Sequence, residues 1–426
     1  MTQDHPIAPR PYALRNQIQH YAWGTRGDDA FIPRLLGQAP EPDTPYAELW
    51  MGAHPKAPST VLVDEETTVP LDRWIAADPE AALGASVADS FGGLPFLFKV
   101  LSAGRSLSIQ AHPNQAQAEQ LHARDPEHYP DANHKPEIAV ALNHLTALMG
   151  FRPYGELRAV LARYPEIAQF AGGTAAVLLP GDATGKPAQT AAVRALFEAL
   201  IRRSIDEPEA LAAAVDSMAG RFQRAAVELD ARAERFLTLR ERYGSRDVGL
   251  FALYLFNLIH LDAGEGIFTQ AGVPHAYLEG TIIECMANSD NVVRVGLTPK
   301  FRDAQTLLEI VDPTPGAPEV LTGARDPSVT SLSGEARSVV YETPAPEFEV
   351  RCVTLGAGAA LELPTGGGPA VLLVTEGRAA LAWPDGTASA GRGASYILPA
   401  CLPQVSMRSE QGAEGFVTST GAVAAH

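Results

Sequence analysis

Between about residues 152 and 260 apolar side chains recur with the period of a helix, whereas on both sides of that block they come in short, bounded runs. Val193, Leu196, Phe197, Leu200 and Ile201 fall at i, i+3, i+4, i+7 and i+8, which is one helix face. Leu211, Val215, Met218 and Phe222 repeat the pattern, and Phe236 and Leu239 mark the inner side of a charged helix over 232–242. Asp247 is placed to cap an apolar helix from Val248. Upstream, 94–101 and 107–112 read as strands separated by Gly104, followed by a helix over 115–124. Downstream, 268–277 and 281–284 are short strands. Beyond a Pro-rich linker at 312–318, the stretches 347–353, 370–375, 379–383 and 394–398 form evenly spaced strands with Gly/Pro punctuation. A helical block interrupting strand-forming sequence implies a mainly-β protein with an α-helical insertion and a second, terminal antiparallel unit of jelly-roll type.

Charge narrows the partners. Lys and Arg number 33 against 50 Asp and Glu, a net charge of −17. Such a chain repels polyanions at long range, so neither nucleic acid nor an anionic membrane surface is an expected partner. A small phosphorylated ligand stays open, because a local cation cluster overrides the global field at short range. The three cysteines, Cys285, Cys352 and Cys401, give neither a disulfide framework nor a CxxC zinc knuckle. The longest apolar stretch, 249–261, is too short to span a bilayer and is broken by Asn257 and His260. Residues 1–15 carry no apolar signal segment, so a cytoplasmic location is expected.

Of eleven histidines, His5 and His426 are terminal, and His122, His128 and His144 sit in polar or helical settings. Two others suggest chemistry. Gln110 and His112 are two apart on a strand and so share a face. Glu137 closes the segment Tyr129-Pro-Asp-Ala-Asn-His-Lys-Pro-Glu137, and His275 lies far downstream in Gly272-Val-Pro-His-Ala-Tyr277. Two imidazoles, a carboxylate and an amide oxygen make a nitrogen/oxygen donor set suited to zinc, with a position left for water or substrate. Spacing alone leaves open whether the four meet.

The longer motifs carry a resemblance. Tyr129 to Glu137, and the run from His275 through Glu284-Cys-Met-Ala-Asn-Ser-Asp-Asn-Val-Val-Arg294 to Lys300, resemble the two signature segments of type I phosphomannose isomerases. Tyr21-Ala-Trp-Gly24, Glu48-Leu-Trp-Met-Gly-Ala-His-Pro55, Pro95 to Leu101 and Leu107 to Pro113 are similar to further blocks of that family, in the same order. The likeness runs to about Phe301 and is weak in the last hundred residues. Val295 departs from it, standing where the family usually has Ala, beside rather than on a functional side chain; the substitution is expected to tune pocket volume.

The resemblance implies a zinc-dependent interconversion of mannose 6-phosphate and fructose 6-phosphate through an enediol(ate), with one zinc per chain on Gln110, His112, Glu137 and His275. It implies a cupin-type core over 1–151 plus 261–325, the helical insertion at 152–260 and a C-terminal β domain at 326–426, in a protein expected to be a monomer. Such an isomerase serves carbohydrate metabolism or supplies mannose 6-phosphate for GDP-mannose synthesis. Arg294 is the first candidate for stabilising developing negative charge; its structural alternative is an ion pair with Asp290 or Glu284. Lys135 and Glu284 are both candidates for the proton-shuttling base, and the residues leave the choice open. Lys99, Ser108 and Lys300 are expected at the phosphate. Trp23, Glu48 and Tyr277 are expected to line the pocket, and His134 to assist ring opening. Trp50 reads as core and His54 as a turn residue. The rivals are an iron oxygenase built on two His and a carboxylate, a sugar-phosphate sensor without turnover, and an isomerase of unphosphorylated sugar.

Overall fold

In the computed structural model, which describes residues 6–224, 229–365 and 367–421, the two longest strands before residue 330 lie side by side although the whole helical block separates them in the chain. His5 and His426 fall outside the described residues. Glu137–Phe151 and His275–Ala287 pair antiparallel, with Glu137 opposite Met286 and Met149 opposite His275. Phe96–Ala103 pairs on the other edge of His275–Ala287, and Glu48–Gly52 and Gln17–Gln19 extend that side. Gly266–Thr269 and Val320–Leu321 extend the opposite side. These are strands for a simple reason: Phe96–Ala103 is buried at every position, so it is covered on both faces and needs no polar alternation.

The Ile109–Ala111 strand is short but central to the chemistry. It pairs with His275 on one edge and with Val293–Gly296 on the other, so Gln110 lies opposite both His275 and Arg294. That register brings three distant segments of chain to one place.

Helices occupy the expected insertion, the longest being Lys186–Asp206, Pro208–Arg224 and Ala231–Tyr243. The apolar faces read from the sequence are buried at Val193, Leu196, Phe197, Leu200, Leu211, Val215, Met218, Phe236 and Leu239. Each fully buried Leu or Phe contributes about 1.5–3 kcal/mol of transfer free energy, which is what holds helices of ordinary propensity together. The same cluster takes in Ile109, Ala111, Val293, Val295 and Leu297, so the insertion packs on the back of the strands that carry Gln110 and Arg294. Val295 points into this cluster rather than into a pocket, which removes the expectation that it tunes pocket volume.

The C-terminal strands form a larger antiparallel sheet. The two strands expected at 370–375 and 379–383 are one, Ala370–Trp383, because the register shifts between Val374 and Glu376 and the chain bulges there instead of turning. Strands from the N-terminal region complete this sheet: Tyr12–Arg15 pairs with Ser395–Leu398 and with Thr60–Leu62. An unpaired strand edge leaves backbone donors and acceptors without partners, and the N-terminal strand covers that edge. One apolar cluster therefore spans both β units, from Met51, Phe96 and Ile283 to Phe348, Leu373 and Phe416. No described helix is long and apolar enough to cross a membrane.

Candidate metal centre and active site

His112, Glu137 and His275 are brought together, each buried, with one ligand atom from each within 4.8 Å of the others. His112 Nε2 lies 3.5 Å from Glu137 Oε1, and His275 Nε2 lies 3.3 Å from Glu137 Oε2. The far ring nitrogens are already engaged. His112 Nδ1 meets the Asn291 carbonyl at 2.8 Å and His275 Nδ1 meets the Val273 carbonyl at 3.0 Å. Carbonyls only accept, so each Nδ1 carries the proton and each Nε2 turns a lone pair toward the carboxylate. Lone pairs facing a carboxylate repel unless a cation lies between them. His112 Nε2 and Glu137 Oε2 are accordingly buried without hydrogen-bond partners. Gln110 joins the group, its amide 3.4 Å from His275 Nε2, and the amide oxygen is the end a cation would take. Two neutral imidazoles, one amide and one carboxylate fit a divalent ion of the zinc type by donor chemistry.

Protonation follows from burial and neighbours. Burial pushes the His112 imidazole down to about 4 although Glu137 works the other way, so it is neutral at pH 7. Burial works against the Glu137 charge, but the Lys135 ammonium is the largest influence opposing it, and the carboxyl lies well below the usual range. Lys135 Nζ lies 3.0 Å from Glu137 Oε1.

Above this centre opens a cavity of about 630 Å³. Among the sequence candidates, Gln110, Glu137, Lys135, Glu284, Arg294, Lys99, Ser108, Lys300, Trp23, Glu48 and Tyr277 line it. His134 does not. Its Nε2 meets Glu347 Oε1 at 2.6 Å on a separate cleft lined also by Gln115 and Asn133, on the irregular stretch before the strand that begins at Glu137. Ring opening is therefore not a task for His134.

Lys99 is in the cavity wall but not free for phosphate. It is 5% exposed, with Nζ 2.9 Å from Glu284 and 3.7 Å from Glu48. Burial opposes its charge, yet the two carboxylates win and hold the ammonium above the ordinary lysine value. Glu48 also accepts from the Trp50 indole. Burial raises the Glu284 carboxyl, helped by Glu137 and Glu48, with Lys99 pulling the other way. The Tyr277 hydroxyl is buried without a hydrogen-bond partner, and burial beside Glu284 keeps it protonated.

Arg294 has a different character. No carboxylate lies within ion-pair distance of it among the described residues, and its buried Nε lacks a partner. The alternatives weighed for it are occupied elsewhere: Asp290 pairs with Lys56 at 2.8 Å and Glu284 with Lys99. Burial lowers its proton affinity, with Tyr129 opposing. Lys300 is lowered by burial and by Arg294 nearby. The charges thus sort themselves. Cations at the inner wall are neutralised by carboxylates, while Arg294 and Lys300 form no ion pair among the described residues.

Several contributors were not singled out in the sequence. Asn291 offers the carbonyl to His112 and is itself held by its side-chain amide on the Asp131 and Asn133 carbonyls, at 2.7 and 3.0 Å. Ser289 hydroxyl donates to Asp131. This network ties the two signature segments together and explains their density of Asn, Ser and Asp. Trp50 and His54 also line the cavity, edge to face at 4.9 Å. Arg242 and Tyr243 reach it from the last turn of an insertion helix.

Regular alternation would set Tyr277 and Glu284, seven residues apart on one strand, on opposite faces. Register shifts between Tyr277 and Glu279 and between Gly280 and Ile282 change the parity. Gly280 makes this possible with φ of +126°, and a Cβ there would sit 2.0 Å from the His144 carbonyl oxygen.

A family model described as phosphomannose isomerase type I, catalytic domain, matches residues 12–154. The chain is 41% identical over 356 residues to mannose-6-phosphate isomerase of Bos taurus, covering 80% of this chain and 82% of the relative. Mannose-6-phosphate isomerase 2 of Arabidopsis thaliana is 38% identical over 403 residues, covering 91% and 88%. Among solved structures, mannose 6-phosphate isomerase from Salmonella typhimurium bound to substrate (f6p) and zinc aligns with a TM-score of 0.81 and 30% identity, over 97% of this chain and all of that one.

Proposed function

The chain belongs to the type I phosphomannose isomerase family, and from that premise we propose that it is a zinc-dependent aldose–ketose isomerase interconverting mannose 6-phosphate and fructose 6-phosphate through an enediol(ate). The observation that carries this reading is the convergence of buried, unpartnered lone pairs on one point beside an uncommitted guanidinium. Gln110, His112, Glu137 and His275 would hold the ion, which when bound supplies Lewis acidity toward substrate oxygens as charge develops.

The remaining work falls to the chain itself. Isomerisation moves a proton between C1 and C2 of the open sugar. Glu284 is the base we assign to it: burial raises its carboxyl toward the pH at which a base takes and returns a proton efficiently, and it lines the cavity. Lys135, held beside Glu137, is the proton donor to a substrate oxygen. Arg294 faces the developing negative charge with a cation that no protein carboxylate offsets. Lys300 and Ser108 are assigned to the phosphate, Trp23 and Tyr277 to the walls of the sugar site, and Glu48 and Lys99 to the charge balance around Glu284. We assign the catalytic unit to 1–151 with 261–325, the insertion to 152–260 and the terminal unit to 326–426, with Tyr12–Arg15 contributing to the terminal sheet.

The test is an assay of fructose 6-phosphate formation on chelator-stripped protein, with zinc, manganese, cobalt and iron added back singly. Activity should vanish with the metal while circular dichroism stays, and return with zinc. Full activity in metal-free protein, or no turnover of mannose 6-phosphate with any metal, refutes the proposal. Unphosphorylated mannose, run in parallel, should turn over far more slowly.

A further inference from the structure

Asp247 lies outside the cavity, in the helical insertion, yet it grips the turn that follows the Arg294 strand and leads to Lys300. Its Oδ1 accepts from the backbone N–H of Gly249 at 2.8 Å and of Leu297 at 2.9 Å, and its Oδ2 accepts from that of Thr298 at 3.4 Å. The residue is 6% exposed and forms no ion pair among the described residues. A buried carboxylate without a counter-cation is expensive unless backbone donors surround it, and here the donors come from two distant segments. An apolar side chain would fill the space at lower cost, so what the carboxylate specifies is geometry.

The geometry is unusual. Leu297 adopts φ of +56°, one of two such non-glycine residues described, and it is held there with its side chain buried. Immediately before it, Gly296 packs against Gly249 so closely that a Cβ would meet the Gly249 nitrogen at 2.6 Å. The chain thus turns sharply between Arg294 and Lys300, and Thr298 Oγ1 accepts from the Lys300 backbone N–H at 3.1 Å to extend the turn. Leu297, Thr298 and Pro299 all line the cavity, and so do Arg242 and Tyr243, a few residues before Asp247.

We propose that Asp247 is a positioning residue: by clamping the left-handed turn at Leu297 from the insertion, it sets Lys300 for the phosphate end of the substrate. The inference rests on the isomerase reading above, and it gives the insertion a role in recognition as well as in packing. The clamp bonds to Leu297 and Thr298, on the turn leading to Lys300, and to none of the metal ligands, so it governs substrate affinity rather than metal occupancy.

The experiment compares Asp247→Ala and Asp247→Asn with the unaltered chain as zinc-loaded full-length proteins. Asp247→Ala should raise KM for mannose 6-phosphate and Ki for inorganic phosphate together by about tenfold, equivalent to about 1.4 kcal/mol. Bound zinc should stay at one per chain, and kcat should change by less than about threefold. Asp247→Asn keeps an acceptor for Leu297 but turns an N–H₂ toward Thr298, and should give a smaller rise of both constants. Amide hydrogen exchange at Leu297 and Thr298 should accelerate in both variants, a readout independent of turnover. Unchanged KM and Ki, zinc loss parallel to the KM rise, or undiminished amide protection would overturn the inference. If Asp247→Ala does not fold, Asp247→Asn decides by the same criteria. An unaltered chain without isomerase activity would instead defeat the functional reading, leaving phosphate binding and exchange to judge the clamp.

Discussion

Lys99→Met separates two readings of one lysine. As a phosphate contact its loss would weaken substrate binding; as the partner of Glu284 its loss would damage the proton transfer itself. Methionine keeps most of the volume but removes the charge between two carboxylates that lie 2.9 and 3.7 Å from Nζ. Breaking a buried ion pair from one side costs about 3–5 kcal/mol, because the stranded charge stays desolvated. Protonating one carboxyl limits the penalty, so a net loss of about 3 kcal/mol is expected, or roughly 3 °C in the unfolding midpoint of a chain this long. The pH consequence has a definite sign. Burial already raises Glu284 and Lys99 is the principal influence lowering it, so removing the lysine raises it further. A base works deprotonated, and the acid limb of kcat therefore moves to higher pH, while KM changes little. The assay is kcat and KM for mannose 6-phosphate from mildly acid to alkaline pH, with thermal unfolding alongside. A rise in KM alone, with the acid limb unmoved, would refute the reasoning and restore Lys99 to the phosphate.

His112→Ala and His275→Ala should each abolish bound metal and activity together, measured by atomic spectroscopy on the purified proteins; turnover without metal in either would disprove the assigned ligand set. Arg294→Ala should lower kcat by at least about a hundredfold, the scale of losing one charge-stabilising donor, with zinc retained. Gly280→Ala forces a Cβ against the His144 carbonyl oxygen at a backbone angle that side chains avoid, and should cost about 3 kcal/mol or more by thermal unfolding. Because the bulge sets which side chains face the cavity, any folded Gly280→Ala protein should also lose activity out of proportion to its stability.

Much of the architecture is local in origin and legible in the residues. The helix expected over 115–124 is Gln115–Arg124, because Asn114 and Gln117 form a capping box written in adjacent sequence. The buried faces of the insertion helices follow from spacing that burial rewards in any helix. Gln110 and His112 share a face because strand alternation makes them. The same rule misleads wherever the backbone departs from regularity: it cannot foresee that Tyr277 and Glu284 look into one cavity, since the register shifts between Tyr277 and Ile282 change the parity. Nor does alternation reveal that the 370–383 strand is continuous, because the break in its pattern is a bulge at Thr375, between Val374 and Glu376, and not a turn.

What the amino-acid order determined by itself is the set of parts: strand and helix periods, four residues with metal-binding chemistry, and motifs that name a family. Tertiary structure decided the charge of each part. Lys99 and Arg294 read alike as cations in signature segments, yet one is enclosed by Glu48 and Glu284 and the other meets no carboxylate. His134 neighbours Lys135 in the chain and faces a different cleft. The reason is physical. Electrostatic energy falls off over a few ångströms of space, and Glu48, Lys99 and Glu284 come from strands fifty or more positions apart, so the role of a charged side chain is settled only when the sheet closes.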